Sequence, residues 1–418
     1  MTDSDDSEAI LSVAIAAARE YCASRNKRKL AAMLACGGED DTPGRQTHHK
    51  RLPRTVMNWA ARLGSLSDRQ FQRRYRMPKA TFHVLCADLA PAMNKHHVDL
   101  GQRVPKDCPV QVQVSAALRW MAGGSYLDIV DIHGISDVTL YASVRAFVLA
   151  LVNHPKYKIH FPTEDTNELR KIEREWAALD KTGKFAGCVG ALDGLIVHIQ
   201  KPWLDADCSN PANYMNRKGC FALIAQARPA LATAGLLLDC VVCLVTRPRP
   251  AQVVCDARRR VRYASVNAMG STHDSTAWGM CHLGRQIHDE GLLPDWAFLV
   301  ADDAYVSGPQ MVVPYSGKNL SKAKDDFNYY QSSLRIEVEC TLGAVQARWG
   351  VLWRPLRCSL PMASLVTMAC FCLHNICLDA GMPDTARCIA LSRVNGDADG
   401  VLRIPGGFVF CFALKGFP

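Results

Sequence analysis

The chain has 418 residues, of which 49% are hydrophobic and 21% charged, and its formal net charge at pH 7 is +9. This length and apolar content allow a substantial buried core and two or three domains, whereas no segment has the roughly 20 uninterrupted apolar residues that a membrane span needs. We therefore expect a soluble protein, and the positive charge favours a polyanionic partner without deciding for one.

The eighteen cysteines are not expected to form a disulfide framework. The chain is long, begins with the acidic stretch 1–6 and no secretory signal, and scatters its cysteines singly, so reduced and mostly buried thiols are predicted. Cys240 and Cys243 form the only C-x-x-C pair, and because no second pair matches it, a structural zinc there is disfavoured.

Both ends of the chain are predicted to be tails. Residues 1–55 are polar, with alternating acidic and basic stretches and little periodicity, and are interpreted as mostly disordered. The basic cluster 25–29 in this tail would serve as a nuclear import signal, although such clusters also occur as ordinary solvated surface. Residues 386–418 are predicted to form a C-terminal tail.

Residues 56–160 are predicted to be helical. An amphipathic helix period runs through 112–121, a Gly-Gly pair breaks it, and Ser125 caps a second helix. Gly134 then turns the chain into a third helix, which Ser136 caps. This is the helix-turn-helix arrangement, whose second helix enters the DNA major groove by its first turns.

On this interpretation four side chains would face DNA: Ser136, Asp137, Thr139 and Arg145. Lysine and arginine are scarce between Gly124 and Tyr141, however, which favours a small helical bundle that only packs on a catalytic domain. Both alternatives stay open, and phosphate contact is favoured over base readout.

Residues 161–385 are predicted to form an α/β domain. A helix over 168–179 leads into the apolar strand 187–193, which ends at Asp193 and is stopped by Gly194. Further strands are expected at 194–200, 220–226 and 260–266. Strands with helices attached later are typical of an α/β sheet fold.

Three acidic residues lie where each would deliver a carboxylate to one shared metal site. Asp193 ends a strand, Asp274 lies in the small polar loop 270–276, and Glu339 lies in the helical stretch 335–353. A strand end, a loop and a helix can converge in space, and hard cations such as Mg²⁺ prefer carboxylate oxygens. Two such ions roughly 3.5 to 4 Å apart bind both the attacking and the leaving oxygen of a phosphodiester. Taken singly, Asp193 and Asp274 are better explained as turn or cap residues.

Glu339 is assigned to this site in preference to Glu337. The two are two residues apart, so on a helix they point about 200° from each other. Glu339 borders the apolar stripe that marks the core side of the helix, and Glu337 is predicted to be a solvated surface charge. The stripe consists of Val338, Leu342, Val345, Trp349 and Leu352.

Five blocks in this order along the chain resemble blocks of the PIF/Harbinger transposases: Gly190-Ala-Leu-Asp193-Gly194, Tyr214-Met-Asn-Arg-Lys-Gly219, Gly270-Ser-Thr-His-Asp274-Ser275, Ala301-Asp-Asp-Ala-Tyr305 and Val338-Glu339-Cys-Thr-Leu-Gly343. The resemblance runs from about residue 59 to about residue 379. It implies an RNase H-like mixed sheet with flanking helices, preceded by a helix-turn-helix region. It also implies that Asp193, Asp274 and Glu339 are a catalytic triad that holds two divalent ions, Mg²⁺ or Mn²⁺.

The same resemblance implies cut-and-paste transposition of double-stranded DNA. A metal-bound water would cleave at the transposon ends, and the freed 3′ hydroxyl would attack the target. We therefore expect a nuclear protein, a homo-oligomer and a separate Myb-like helper protein. On this view Arg217 and Lys218 contact phosphate, or they form only an exposed basic bend.

The segment 228–253 departs from the family pattern, in which a hairpin from the strand 220–226 through residues 255–260 would follow almost directly. The segment is either a real excursion from the hairpin tip or a gene-model artefact such as a retained intron. A real excursion is tolerable because lengthening a surface loop costs little entropy. The artefact is slightly favoured, because an apolar strand at a loop tip needs a partner to cover it. Such an insert and the atypical end 401–418 support an alternative function, a domesticated or defective relative that binds DNA without cutting it. A related nuclease that never joins strands is a third alternative.

Overall fold

The fold consists of a helical N-terminal part followed by a mixed β-sheet with helices packed on it. The computed structural model describes residues 54–99, 108–202, 210–215, 220–224, 252–266, 268–269, 272–289, 291–382, 401–403 and 409–411. The tail through residue 53, including the cluster 25–29, lies outside these described residues, as do Arg217, Lys218 and residues 225–251.

The helices that precede the first strand are α1 Trp59–Gly64, α2 Asp68–Tyr75, α3 Lys79–Asp99, α4 Val110–Met121, α5 Tyr126–His133, α6 Asp137–Asn153 and α7 Thr166–Ala177. A capping box begins α2: the Ser67 hydroxyl accepts from the amide of Gln70, and the Gln70 side chain accepts from the amide of Ser67. The rings of Trp59, Phe71 and Phe82 pack against one another and hold α1, α2 and α3 together.

The helices predicted from residue 112 onwards are confirmed as α4, α5 and α6. Gly134 ends α5 with a φ of 62°, in the left-handed region that favours glycine. Ser136 then caps α6 by accepting the amide of Thr139 at 3.0 Å. The helices α5 and α6 meet at 99°, an angle typical of helix-turn-helix pairs. The helix-turn-helix assignment and its DNA contact stay predictions.

The strands are β1 Cys188–Asp193, β2 Ile196–His198, β3 Ala222–Ile224, β4 Val253–Cys255, β5 Val261–Ala264, β6 Ala268–Met269, β7 Phe298–Val300, β8 Met311–Val312, β9 Val401–Arg403 and β10 Val409–Cys411. The main sheet has the order β5-β4-β1-β7-β8, in which β1 pairs antiparallel with β4 and parallel with β7. A separate antiparallel sheet has the order β2-β3-β6, and β9 pairs with β10. The predicted α/β class with a mixed sheet is confirmed.

The expected hairpin between the strand 220–226 and residues 255–260 is wrong. Strand β3 pairs with β2 and β6, whereas β4 pairs with β1 and β5. Val253 lies opposite Asp193 and is fully buried, as is Gln252 beside it. The last two residues assigned to the insert 228–253 therefore belong to the main sheet and its edge, so the insert ends earlier than predicted.

The helices that follow in chain order are α8 Asp274–Met280, α9 His282–Asp289, α10 Lys322–Arg348 and α11 Leu360–Asp379. Helix α10 packs across β1, β4 and β7. The predicted apolar stripe on this helix is confirmed, since Val338 and Val345 are fully buried. Glu339 is thereby held close to the carboxyl-terminal end of β1.

Helix α11 is an apolar helix that belongs to the core. By length and composition it would be able to cross a membrane, as would α5 and α6 taken as one bent span. Most of α11 is instead buried inside the protein, where it packs on α6 and β5. The side chain of Asn375 bonds both the amide and the carbonyl of Val261, each at 2.9 Å, and so fixes α11 to the edge strand β5.

A buried carboxylate fixes the turn between β4 and β5. Asp256 is fully buried, and its Oδ1 accepts from the amides of Arg258 and Arg260, both at 2.9 Å. Its Oδ2 accepts from Arg262 Nε at 2.7 Å, and Arg262 Nη1 donates to Glu168 of α7 at 2.7 Å. The turn is thus tied to a helix on the sheet.

Replacing Asp256 with alanine is expected to lower the free energy of unfolding by about 3–5 kcal/mol, because a half-buried guanidinium and two amides lose their acceptor. The matched control is Arg258→Ala, which removes an ion pair between an exposed arginine and the largely buried Glu175 and should cost less, about 1 kcal/mol. Urea unfolding followed by circular dichroism measures both changes. Equally small losses would contradict the role given to this carboxylate.

Candidate active site

Two acidic strand ends lie side by side in the main sheet. Strands β1 and β7 run in the same direction, with Ala191 opposite Val300. Asp193 ends β1 and Asp302 follows the end of β7 by two residues, so both come out at the same edge. The predicted site residue Asp193 therefore has a second carboxylate as its neighbour.

Asp193 is held where water is scarce. Its pKa is raised to about 7, chiefly because burial disfavours the charged form, and the negative charges of Asp302 and Glu339 add to the rise. The amide of Gly194, which donates to Asp193 Oδ1 at 2.8 Å, and the guanidinium of Arg335 act in the opposite direction. The protonated form of this carboxyl is therefore favoured much more than in an exposed aspartate.

Asp302 has a similar environment. Burial raises the pKa of Asp302 and the exposed Asp303 adds to the rise, whereas the amide of Ala304 and the guanidinium of Arg335 lower it. The Ala304 amide donates to Asp302 Oδ1 at 3.0 Å. Sequence reasoning left Asp302 outside the triad. The signal that identifies it is the one used for Asp193, an acid that directly follows a short apolar strand.

Glu339 faces the two strand ends from α10, together with Arg335 one turn earlier. Arg335 Nη1 lies 2.8 Å from Glu339 Oε1, and both side chains are partly buried. The same guanidinium lowers the pKa values of Asp193 and Asp302. One arginine, which sequence reasoning missed, therefore partly neutralises three carboxylates.

Glu337 belongs to a different contact. Its Oε2 accepts from Arg259 Nε at 2.6 Å, and 16% of its side chain is exposed. The expectation that Glu337 is a solvated surface charge is wrong, because the turn between β4 and β5 reaches over this side of α10. Its exclusion from the acidic site agrees with this placement.

Asp274 is connected to the acidic strand ends by buried hydrogen bonds. Gln252 Nε2 donates to the backbone carbonyl of Asp274 at 3.3 Å, and the Tyr305 hydroxyl donates to Gln252 Oε1. Burial raises the pKa of Tyr305 well above its usual value, and the charges of Asp274, Asp193 and Asp302 add to the rise. Tyr305 thus lies among all three acids, and the role of Asp274 as a metal ligand stays a prediction.

The donor set suits a divalent cation. Mg²⁺ and Mn²⁺ prefer carboxylate oxygens, and the raised pKa values of Asp193 and Asp302 show poorly hydrated acids that a cation would stabilise as carboxylates. Across the described ranges, however, no three His, Cys, Asp or Glu side chains stand close enough together to hold an ion.

The side chains that were predicted to contact DNA differ in how exposed they are. Ser136 caps α6, and its hydroxyl lies 2.8 Å from the hydroxyl of Thr139. Thr139 is 7% exposed, so the expectation that it faces DNA is wrong: its side chain lies against the buried side of the helix and takes part in the cap. Asp137 and Arg145 are exposed.

An exposed basic surface forms beyond the end of β2. The amide of Gln200 donates to the carbonyl of Leu356 at 3.0 Å, and the amide of Leu356 donates to the carbonyl of His198 at 2.9 Å. Residues 198–201 and 353–357 therefore run side by side. We name their exposed side chains the basic edge: Lys201, Trp353, Arg354 and Arg357. Sequence reasoning missed this surface because its two segments lie about 150 residues apart.

Comparisons with known proteins find a matching family and several relatives. Residues 250–375 match the family described as DDE superfamily endonuclease. The "Putative nuclease HARBI1" of Rattus norvegicus is 24% identical over 325 residues, which cover 77% of this chain and 81% of that protein. The "Protein ALP1-like" of Arabidopsis thaliana is 20% identical over 332 residues, which cover 76% of this chain and 72% of that protein. No solved structure matches the chain.

Replacing Asp193 with asparagine is expected to stabilise the metal-free protein, and the gain should grow as the pH rises. Because the pKa of Asp193 is raised from 3.8 to about 7, the unfolded chain releases this proton at lower pH than the folded chain, and stability is lost between those two values. Asparagine does not ionise, so the gain should be about 1–3 kcal/mol above about pH 8 and close to zero below about pH 4.

Thermal unfolding in the presence of EDTA across this pH range measures the difference between Asp193→Asn and the unchanged protein. The exposed neighbour provides the control, Asp303→Asn, which should show a much smaller change with pH. A gain from Asp193→Asn that stays constant with pH would contradict the raised pKa.

Proposed function

We propose that this chain, which carries a DDE superfamily endonuclease domain, is a metal-dependent nuclease that cleaves DNA phosphodiesters. The relatives described above confirm its resemblance to the PIF/Harbinger transposases. The observation that carries the proposal is the meeting of Asp193, Asp302 and Glu339 around Arg335 at one edge of the main sheet.

The strand order supports an RNase H-like fold for this nuclease. Three antiparallel strands, β5, β4 and β1, are followed by β7 and β8, which continue parallel to β1. The first two acids come from the carboxyl ends of β1 and β7, and the third comes from a long helix that crosses the sheet. This arrangement gives each carboxylate a rigid element to hold it.

The acids at this edge would hold the metal. Asp193, Asp302 and Glu339 are the proposed ligands, and Asp274 stays a candidate beside them. Two divalent ions, Mg²⁺ or Mn²⁺, supply Lewis-acid chemistry for an attacking water and a leaving oxygen when they are bound. Burial of Asp193 excludes bulk water, which strengthens the electrostatic interactions inside the site.

Neighbouring groups would position these ligands. Arg335 orients Glu339 through their ion pair, and its guanidinium suits a phosphate oxygen once Glu339 turns to a metal. Gln252 and Tyr305 join the start of α8 to the sheet edge and so hold Asp274 in place.

Strand transfer extends this proposal to a transposase that cuts and joins DNA at transposon ends. Its support is the family resemblance, which is also the support for a nuclear location, a homo-oligomer and a Myb-like helper protein. The cluster 25–29 adds to the argument for nuclear import.

A transposase-derived protein that binds DNA without cleaving it is the second candidate function. Two observations favour it: Glu339 is engaged by Arg335, and within the described residues no three ligands are already assembled. Both candidates require DNA binding, for which the basic edge is the proposed surface.

Mutation of the acids is expected to separate the two candidates. Asp193→Asn, Asp302→Asn and Glu339→Gln should each lower Mg²⁺-dependent cleavage of a duplex that carries candidate terminal repeats by at least about a hundredfold. The matched control is Asp326→Asn, whose exposed side chain near the start of α10 should leave cleavage unchanged. Asp274→Asn, assayed in parallel, tests the fourth acid by its effect on cleavage.

Equal cleavage by all of the variants would remove this mechanism. DNA binding without cleavage by the unmodified chain, with Mg²⁺ and with Mn²⁺, would favour the second candidate.

DNA binding is expected to depend on the basic edge more than on α6. Alanine at Lys201, Arg354 or Arg357 should weaken binding about equally for different duplex sequences and reduce the slope of log affinity against log salt by about 1. Arg145→Ala on α6 is the comparison and should have a smaller effect. Fluorescence anisotropy at several salt concentrations measures each slope. A larger loss with Arg145→Ala would return DNA contact to the helix pair.

A further inference from the structure

Exposed apolar side chains are concentrated on the helix pair α5–α6. Tyr126, Leu127, Ile132, Val138 and Tyr141 are between 44% and 74% exposed. Five of the fifteen large apolar residues exposed in the described part of the chain thus fall within sixteen consecutive positions. Such a concentration on a folded surface is typical of a site that contacts another molecule.

The exposure of these side chains is not due to a poorly packed core. The inner side of the same two helices is already filled, since Ile129, Leu140 and Val144 are at most 1% exposed. The rings of Tyr126 and Tyr141 lie 6.4 Å apart, centroid to centroid, across the two helices. The exposed residues therefore form one surface that both helices share.

The charge of this surface is negative. Asp128 and Asp131 on α5 and Asp137 on α6 are all exposed, and residues 125–144 contain no lysine or arginine. Leu127 and Asp131 are one helical turn apart, so an apolar group and an acidic group lie side by side on one face of α5. We name the following exposed residues of the two helices the acidic apolar surface: Tyr126, Leu127, Asp128, Asp131, Asp137, Val138 and Tyr141.

This chemistry does not suit DNA. In a helix-turn-helix the first turn of the second helix approaches the major groove, and here that turn carries Asp137 and the 74% exposed Val138. Three carboxylates would face phosphates of the same sign, and the single exposed arginine nearby on α6, Arg145, would offset only part of the repulsion. The shape of the motif is kept while its surface suits another kind of partner.

A second copy of this chain does not suit it either, if the two copies pair by the same face. A twofold contact places each patch against its own equivalent, so Asp128, Asp131 and Asp137 would meet the same three acids of the other copy. A complementary occupant presents apolar side chains bordered by positive charge.

We propose that the acidic apolar surface is a docking site for a different protein, which binds through a helix with an apolar stripe flanked by lysine or arginine. Tyr126, Leu127, Val138 and Tyr141 would receive the stripe, and the three aspartates would pair with the basic flanks. This inference does not depend on the proposed nuclease activity, because none of these residues belongs to the acidic site.

The test uses two designed helical peptides with the same leucine stripe, one flanked by lysines and one by glutamates. The lysine peptide should bind the full-length protein, and the glutamate peptide should bind at least about tenfold more weakly, as measured by fluorescence anisotropy. Val138→Asn should weaken the lysine peptide at least about tenfold. The matched control is Val306→Asn, because Val306 is also exposed, at 70%, but lies outside this surface.

A charge swap completes the test: Asp131→Lys should weaken the lysine peptide and strengthen the glutamate peptide. The proposal is overturned if the lysine peptide fails to bind at about millimolar concentration, or if Val138→Asn and Val306→Asn behave alike. It is also overturned if Val138→Asn lowers DNA affinity as much as the basic-edge variants do, or lowers the oligomeric mass in light scattering. Cleavage by Val138→Asn, assayed separately, should equal that of the unmodified chain.

Discussion

The parallel pairing of β1 with β7 is the constraint on which the candidate site depends. Two strands that run in one direction release their acids at one edge, and the backbone hydrogen bonds between them prevent Asp193 and Asp302 from separating. Partial burial disfavours the charged form of each acid and raises the pKa of both, and the negative charge of Asp302 adds to the rise for Asp193. The guanidinium of Arg335 in α10 offsets part of this cost in this structure.

Two surfaces of opposite chemistry occur on one chain. The basic edge exists because residues 353–357 pair with the chain just beyond β2, so that arginines that follow α10 join a lysine that follows β2. The acidic apolar surface lies on a helix pair whose inner side is occupied by its own core. The net charge of +9 therefore gives no information about which face meets a polyanion.

Local patterns predicted the helices α4, α5, α6 and α7 and four of the strands, β1, β2, β3 and β5, because caps and periodicity act over a few residues. The Ser136 cap, the Gly134 turn and the buried stripe of α10 were all predictable in this way. Long-range strand pairing could not be predicted from local patterns. No local feature indicates that β4 pairs with β1 instead of β3, and therefore none indicates that Gln252 lies at the site. Asp302 had a readable signal, the apolar strand before it, but the triad implied by the family resemblance was assigned to Asp193, Asp274 and Glu339. Thr139 shows the limit of helical periodicity. Its position on the helix predicted a side chain that faces DNA, but its hydroxyl takes part in the N-terminal cap of α6.

The position of α11 has a consequence for synthesis of the protein. This helix is among the last described elements of the chain, yet it packs on α6, which the ribosome completes more than 200 residues earlier, and on β5. Until α11 emerges, the sides of α6 and β5 that it covers stay open to water, and contacts between such distant segments form slowly. A nascent chain therefore exposes apolar surface on α6 and β5 for much of its translation. Chaperones protect such a chain against aggregation during that time. Fragments that stop before residue 360 would keep that hazard permanently.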